Sequence, residues 1–229
     1  MITFHIITIF PEALHGYFST SIIKRAQEKK RVKIVMYNLR DFSMDKHRSV
    51  DDRPFGGGPG MVLMVEPLMY TLKHILKKDF RFNEVNKLDI DPKKYRIVFF
   101  DTRGELFTQE IARSFLPEVK HSHVIFVCGH YEGIDERIKE YCATDVISIG
   151  NYVLSGGEVP AMAVVDAITR LVPGVLGNEE SVEETRVVKG YAVYTRPRDY
   201  SPKKNIVWSV PDALVSGDPK KIDEWRRGH

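Results

Sequence analysis

The chain has 229 residues, 43% hydrophobic and 28% charged, which reads as globular and suffices for one sizeable domain with an appendage. It has no apolar run near the ~20 residues of a membrane span, and its two cysteines, Cys128 and Cys142, form neither a CxxC nor a disulfide framework. The net charge of +3 is uneven: residues 186–229 hold ten Lys/Arg and five Asp/Glu, which leaves −2 on the rest. A basic tail beside a near-neutral body fits a polyanionic partner as well as a solvated tail.

The opening "MITFHIITIFPEAL" lacks a basic n-region and a small-residue cleavage site. It reads as a first strand over 2–10, and the chain as cytoplasmic. A helical stretch from about Pro11 leads to a second strand, "VKIVMYN" (32–38). "PLMYTLKHILKK" (67–78) has helical spacing, and the polar stretch 79–95 reads as a mobile connection. Strands follow at 96–100, 123–128 and 145–149, with helices within "TQEIARSFL" and "IDERIKEYC" and over 158–172. Val-, Ile- and Phe-rich strands alternating with helices predict α/β: a parallel sheet covered on both faces. From Pro173 the pattern dissolves into a linker reaching residue 204, and short helices are expected near "PDALVSGD" and from Asp218–Pro219, an N-cap followed by proline. The expected organisation is a domain over 1–172, a linker over 173–204 and a small helical segment over 205–229.

Several familiar constellations are absent. There is no G-x-G-x-x-G after the first strand, "GGGPGM" lacks the lysine of a P-loop, and Val153 stands where a serine-hydrolase elbow needs glycine. His121, His123, Cys128 and His130 fall in two pairs of opposite parity along one strand, so they would point to opposite faces. No protein metal site is expected, and Mg2+ stays open as an accessory.

Three glycine-rich loops remain, each after a strand: "DTRG" (101–104), "GHYEGIDER" (129–137) and "GNYVLSGGEVP" (150–160). In parallel sheets ligands bind at the C-terminal ends of strands, where exposed backbone can grip a purine edge, ribose hydroxyls and a small zwitterion. A single such loop would be explained by a tight turn; three in succession favour a cofactor site. A fourth loop, "KHRSVDDRPFGGGPGM" (46–61), sets Asp51 and Asp52 before four glycines, and carboxylates accept hydrogen bonds from guanine N–H groups. On local context alone, capping a turn or pairing with Arg48 or Arg53 accounts for them better.

The stretches "IITIFPEAL", "DDRPFGGGPGM", "VCGHYEGIDER", "SIGNYVLSGGEVPAM", "TRLVPGVLGNEES" and "YTRP" together span residues 1 to about 200. In this order they resemble the bacterial tRNA (guanine-N1)-methyltransferases of the SPOUT class, which modify guanosine 37 beside the anticodon. The resemblance implies a trefoil knot at the C-terminal edge of the sheet, S-adenosylmethionine (AdoMet) bound bent within it, and a homodimer acting on tRNA, with no other protein partner. It places Asp101 and Gly104 of the first loop at AdoMet. From the second come Gly129, Tyr131 and Gly133, and from the third Ile149, Gly150, Tyr152, Leu154, Gly156, Gly157 and Pro160. By the same resemblance Asp51 and Gly60 meet the guanosine, and Arg170 sits at the reacting edge.

Three departures stand out. The first loop reads "DTRG" where the family has Ser-Pro-Gln-Gly. The family's catalytic Glu-Asp-Ser meets "VEETR": an ungapped count from Arg170 puts Thr185 in the aspartate's place, and a slip of one residue puts Glu184 there, which is the expected base. The family's C-terminal helical domain also continues past the motif matched by "IDEWRRGH", so residues 205–229 are expected to be part of that tRNA-binding domain.

Overall fold

The computed structural model describes residues 1–116, 122–176 and 191–228. The chain divides into two compact units, Met1–Gly177 and Asn178–His229.

The first unit is α/β, as expected. Its five-stranded sheet has the order β2-β1-β6-β5-β7, from β1 (Ile2–Thr8), β2 (Val32–Asn38), β5 (Tyr95–Leu106), β6 (Ser122–Val127) and β7 (Asp145–Ser148). Every pairing within it is parallel. Alternation sorts the strand side chains between two cores. Phe4, Ile6, Val98, Val124 and Phe126 pack under α1 (Pro11–Phe18), α2 (Ser21–Glu28), α4 (Gln109–Ser114) and α6 (Glu158–Leu171). Ile7, Ile97, Phe99, Ile125 and Val127 pack on the other face, under α3 (Val65–Leu76) and α5 (Glu136–Cys142).

Local chemistry sets several boundaries. Pro11 opens α1, where its missing N–H costs nothing. Thr108 caps α4 by accepting the Ile111 N–H at 3.3 Å, and Asp135 caps α5 by accepting the Arg137 N–H at 3.0 Å. The stretch read as a mobile connection contains an ordered turn, closed by a bridge between Phe82 and Leu88 and tied to α5 by the Leu88 N–H on the Tyr141 carbonyl at 2.9 Å. The Asn83 side-chain oxygen holds the turn from within by accepting the Val85 and Lys87 N–H groups, a local device that hydropathy does not register.

In the second unit, β8 (Asp199–Lys203) pairs antiparallel with β9 (Ile206–Ser209), followed by α7 (Asp212–Val215) and α8 (Pro219–Gly228). The helix expected from Asp218–Pro219 is present. The hairpin is not what the sequence suggests, since β8 falls in the stretch read as linker. Its strands are exposed on both sides and lack the alternation that announces a half-buried strand. Tyr200 and Trp208 hold it together as a cross-strand pair, ring centroids 5.8 Å apart.

Far from the loops, His5 is buried in β1 with Nδ1 3.0 Å from the Tyr37 hydroxyl and Nε2 3.0 Å from His123 Nδ1, while Tyr95 stacks on His123. Burial first, then His123 and Lys33, lowers the His5 pKa from 6.5 to about 3. Between these values the unfolded chain binds the proton and the fold does not. Stability is therefore full above pH 6.5 and is lost as pH falls toward 3, at up to ~1.4 kcal/mol per pH unit from this group. His5→Gln should flatten the slope of unfolding free energy between pH 6 and 4 in urea titrations. An unchanged slope would assign the acid sensitivity to other groups.

Candidate functional site

β6, β5 and β7 are adjacent in the sheet, so the loops at their C-terminal ends emerge side by side. They enclose a cavity of about 400 Å³, within the ~300–1,000 Å³ usual for small-molecule sites. Of the residues expected at a cofactor, Asp101 lines it from β5, and Gly129, Tyr131 and Gly133 line it from the β6 loop. Ile149, Gly150, Tyr152, Leu154, Gly156 and Gly157 do so from the β7 loop, and Pro160 from the first turn of α6.

Gly104 does not line the cavity, and here the structure corrects the reading. Residues 101–104 are not a loop after the strand but an excursion within β5: Phe100 and Glu105 both pair with Ile147, and the chain between them bulges out. A Cβ on Gly104 would stand 2.7 Å from the Ile147 carbonyl carbon and the Val146 oxygen. That glycine serves the close approach of two strands.

Gly157 is likewise explained by protein packing. A Cβ there would lie 2.6 Å from the Cys128 Cα, and its N–H donates to the Gly129 carbonyl at 2.9 Å, stitching the β7 loop to the β6 loop. A bridge between His130 and Gly156 continues the seam. The first residue of α6, Glu158, is buried and accepts the Thr8 hydroxyl of β1 at 2.5 Å. An anionic side chain there also complements the helix N-terminus. Close beside it, burial and then Glu158 hold the Cys128 thiol well above its usual pKa, as an inert neutral group.

The cavity wall carries an ion cluster. Asp101 accepts from Arg103 at 3.0 Å and from Lys139 of α5 at 2.6 Å, and Lys139 also reaches Glu136 at 2.9 Å. The Arg103 bond chiefly, with Lys139 and against the cost of burial, lowers the Asp101 pKa. For Lys139 burial works against the charge, and the bonds to Asp101 and Glu136 outweigh it, so its pKa is raised. The Asp101 carboxylate is thus committed to its neighbours. Tyr131 holds a positive φ of 58°, uncommon for an aromatic residue.

The fourth loop is fastened to the second. β3 (Asp51–Asp52) pairs with β4 (Val62–Leu63), Asp51 lying opposite Leu63. The Leu63 N–H donates to the Gly133 carbonyl at 3.0 Å, and the Glu132 N–H to that of Met61 at 3.0 Å. Gly60 lies against the Glu132 side chain, where a Cβ would collide. Gly60 is therefore brought to the cavity edge, and Asp51 to the strand that anchors the loop there.

Arg170 is not brought to the cavity of its own chain. It lies ten residues along α6 from Pro160, roughly 15 Å of helix. Glu184 lies outside the described residues. Sequence reasoning passed over Glu132, His130 and Lys139, all cavity-lining. Glu132 and His130 sit inside a quoted motif, whereas nothing local marks Lys139, whose place comes from the packing of α5. His123 and His130 belong to different environments: His123 to the His5 pair, and His130 to the cavity, where its Nδ1 is buried with no protein partner.

The family model for tRNA (Guanine-1)-methyltransferase TrmD matches residues 2–229. A tRNA (guanine-N(1)-)-methyltransferase of Clostridioides difficile is 46% identical over 227 residues, 98% of this chain and 90% of that protein. One of Staphylococcus carnosus is 45% identical over 223 residues, covering 96% and 82%. The crystal structure of tRNA (m1G37) methyltransferase from Aquifex aeolicus superposes with a TM-score of 0.76 at 33% identity, covering 100% of this chain and 88% of that one. A parallel sheet whose adjacent strands β6, β5 and β7 border one cavity, with these matches along nearly its whole length, belongs to a methyltransferase: the chain is a member of the tRNA (guanine-1)-methyltransferase family.

Proposed function

We propose that this protein transfers a methyl group from AdoMet to N1 of guanosine 37 in tRNA, in the cytoplasm. One observation carries the reading: eleven of the twelve residues that the family resemblance assigns to the cofactor line a single cavity. Its lining suits AdoMet. Ile149, Leu154 and Pro160 offer an apolar wall for a purine, backbone of the glycine loops offers hydrogen bonds, and the partnerless His130 Nδ1 is a polar group for a ligand to satisfy.

When bound, AdoMet supplies a methyl group already activated on a sulfonium, so no protein nucleophile is needed. Guanine N1 carries a proton, and Glu184 takes it as general base. Arg170 offsets the charge that builds at O6, and Asp51 accepts from the guanine N–H groups while Gly60 lets the base approach. Holding N1 in line with the methyl supplies much of the remaining acceleration. Radiolabelled methyl transfer to unmodified tRNA, with mapping of the product nucleotide, tests the reading. Incorporation at guanosine 37 supports it; AdoMet and tRNA binding without turnover would mark a binding protein that has lost its chemistry.

The working unit is a homodimer. Arg170 lies about 15 Å of helix from the cavity of its own chain, so a second copy supplies it to a reacting edge. Tyr152, Val153 and Leu154, which line the cavity, also stand 53, 87 and 39% exposed, an apolar rim of the kind that subunits cover. Sedimentation at micromolar concentration should give a dimer. A folded, active monomer would overturn this.

A further inference from the structure

Beside the three-loop cavity, the first unit holds a second of about 410 Å³. Val65 and Met69 of α3, Phe82 and Val85 of the 82–88 turn, and Ile138 and Tyr141 of α5 give it apolar walls. Phe82, Val85 and Tyr141 remain 46, 68 and 38% exposed, so large apolar side chains stand open around this space instead of closing it. The turn that carries two of them is ordered: the Asn83 N–H donates to the Lys87 carbonyl at 2.9 Å, and the Leu88 N–H to that of Tyr141 at 2.9 Å.

The remaining lining defines the chemistry. The Cys142 thiol packs 3.8 Å from the Met69 sulfur, and burial pushes its pKa up to about 11. It is a soft, neutral wall at physiological pH, neither nucleophile nor ready metal ligand. Polar groups come from Asn86 and Arg137, and among the described residues no carboxylate lines the cavity. Arg137 gives Nε and Nη2 to Asp135, at 2.9 and 2.8 Å, with Glu66 of α3 also acting on its charge, and its Nη1 makes no hydrogen bond among the described residues.

We propose that this second cavity is an effector site for a small apolar monoanion, an aromatic or branched aliphatic carboxylate or sulfonate, and that α5 carries its occupancy to the first cavity. The helix is a wall of both. Glu136 and Lys139 line the three-loop cavity, and Arg137, Ile138, Tyr141 and Cys142 line the second. Because Lys139 holds Asp101 at 2.6 Å, a shift of α5 displaces a charged pair on the wall of the first cavity. Coupling between the two ligands is then reciprocal. The coupling rests on AdoMet occupying the first cavity; binding at the second does not.

The test uses the full chain and 8-anilinonaphthalene-1-sulfonate, whose apolar rings and single sulfonate match the lining. With saturating S-adenosylhomocysteine present to occupy the first cavity, the dye should bind saturably at one per chain. Val85→Trp, a change at an exposed position, should weaken dye binding at least tenfold without lowering Tm. The uncharged N-phenyl-1-naphthylamine should bind several-fold more weakly than the sulfonate. Saturating dye should change AdoMet affinity at least threefold in the parent chain and leave it unaltered in V85W. Absent dye binding, or binding indifferent to V85W, would overturn the site, and equal binding of the two dyes would overturn its anion preference. Dye binding that leaves AdoMet affinity unmoved would overturn the role of α5. Failure of AdoMet to bind under any condition would instead overturn the reading of the first cavity.

Discussion

Glu184→Gln should lower kcat by ~10²-fold or more while AdoMet binding persists, because the amide keeps the shape of the side chain and removes its basicity. The alternatives lie next to it in the chain. Thr185 occupies the base position in an ungapped register, but a threonine hydroxyl is far too weak a base at neutral pH. Glu183 is one step the other way. A glutamate reaches one methylene further than the family's aspartate. Steady-state kinetics of Glu183→Gln and Glu184→Gln, side by side, separate the registers: an inactive Glu183→Gln beside an active Glu184→Gln moves the base by one residue. Should both turn over normally, the base lies elsewhere and Glu184 leaves the mechanism.

The second large effect belongs to Gly157. Gly157→Val should weaken AdoMet at least tenfold in calorimetry, about 1.4 kcal/mol, but the structure changes the reason. A side chain at Gly157 meets the Cys128 backbone at 2.6 Å before it meets any ligand, and backbone cannot swing away. The variant should therefore also lose stability, by ~1–3 kcal/mol as overpacked sites do. Leu154→Glu is the cleaner partner: Leu154 lines the cavity and is 39% exposed, so its replacement should weaken AdoMet with Tm unchanged. If Leu154→Glu binds AdoMet normally, the apolar wall is not where the purine lies. A folded Gly157→Val with unchanged affinity would remove the β7 loop from the site.

The two glycines also mark where sequence reasoning stops. Glycine-rich loops after β6 and β7 lie at the C-terminal edge of the sheet and line one cavity, because loop position in a parallel sheet follows from chain order and from the handedness of strand–helix–strand connections. What each glycine does could not be inferred from that order. Gly104 and Gly157 are fixed by contacts with Ile147 and Cys128, 43 and 29 residues away in the chain, and a local pattern carries no information about such partners.

Element type and the α/β class were legible in the sequence because strands buried on both faces read as short, nearly continuous Val-, Ile- and Phe-rich runs and helices carry a period of 3.6, and the apolar side chains of β1, β5 and β6 go in turn to the two cores. The exposed β8–β9 hairpin was not, since strands with no buried face have no period to read. Motif resemblance supplied the family, and with it the candidate cofactor and guanosine contacts. Only the tertiary structure decided that β6, β5 and β7 are neighbours, so that their loops share one cavity. It alone seated the β4 backbone on the Gly133 carbonyl, put Lys139 against Asp101, and left Arg170 a helix-length from its own chain's cavity. The division has a physical cause. Local sequence sets which face of an element is apolar, whereas the contacts that build a site join residues far apart in the chain, and their partners are chosen only when the elements pack.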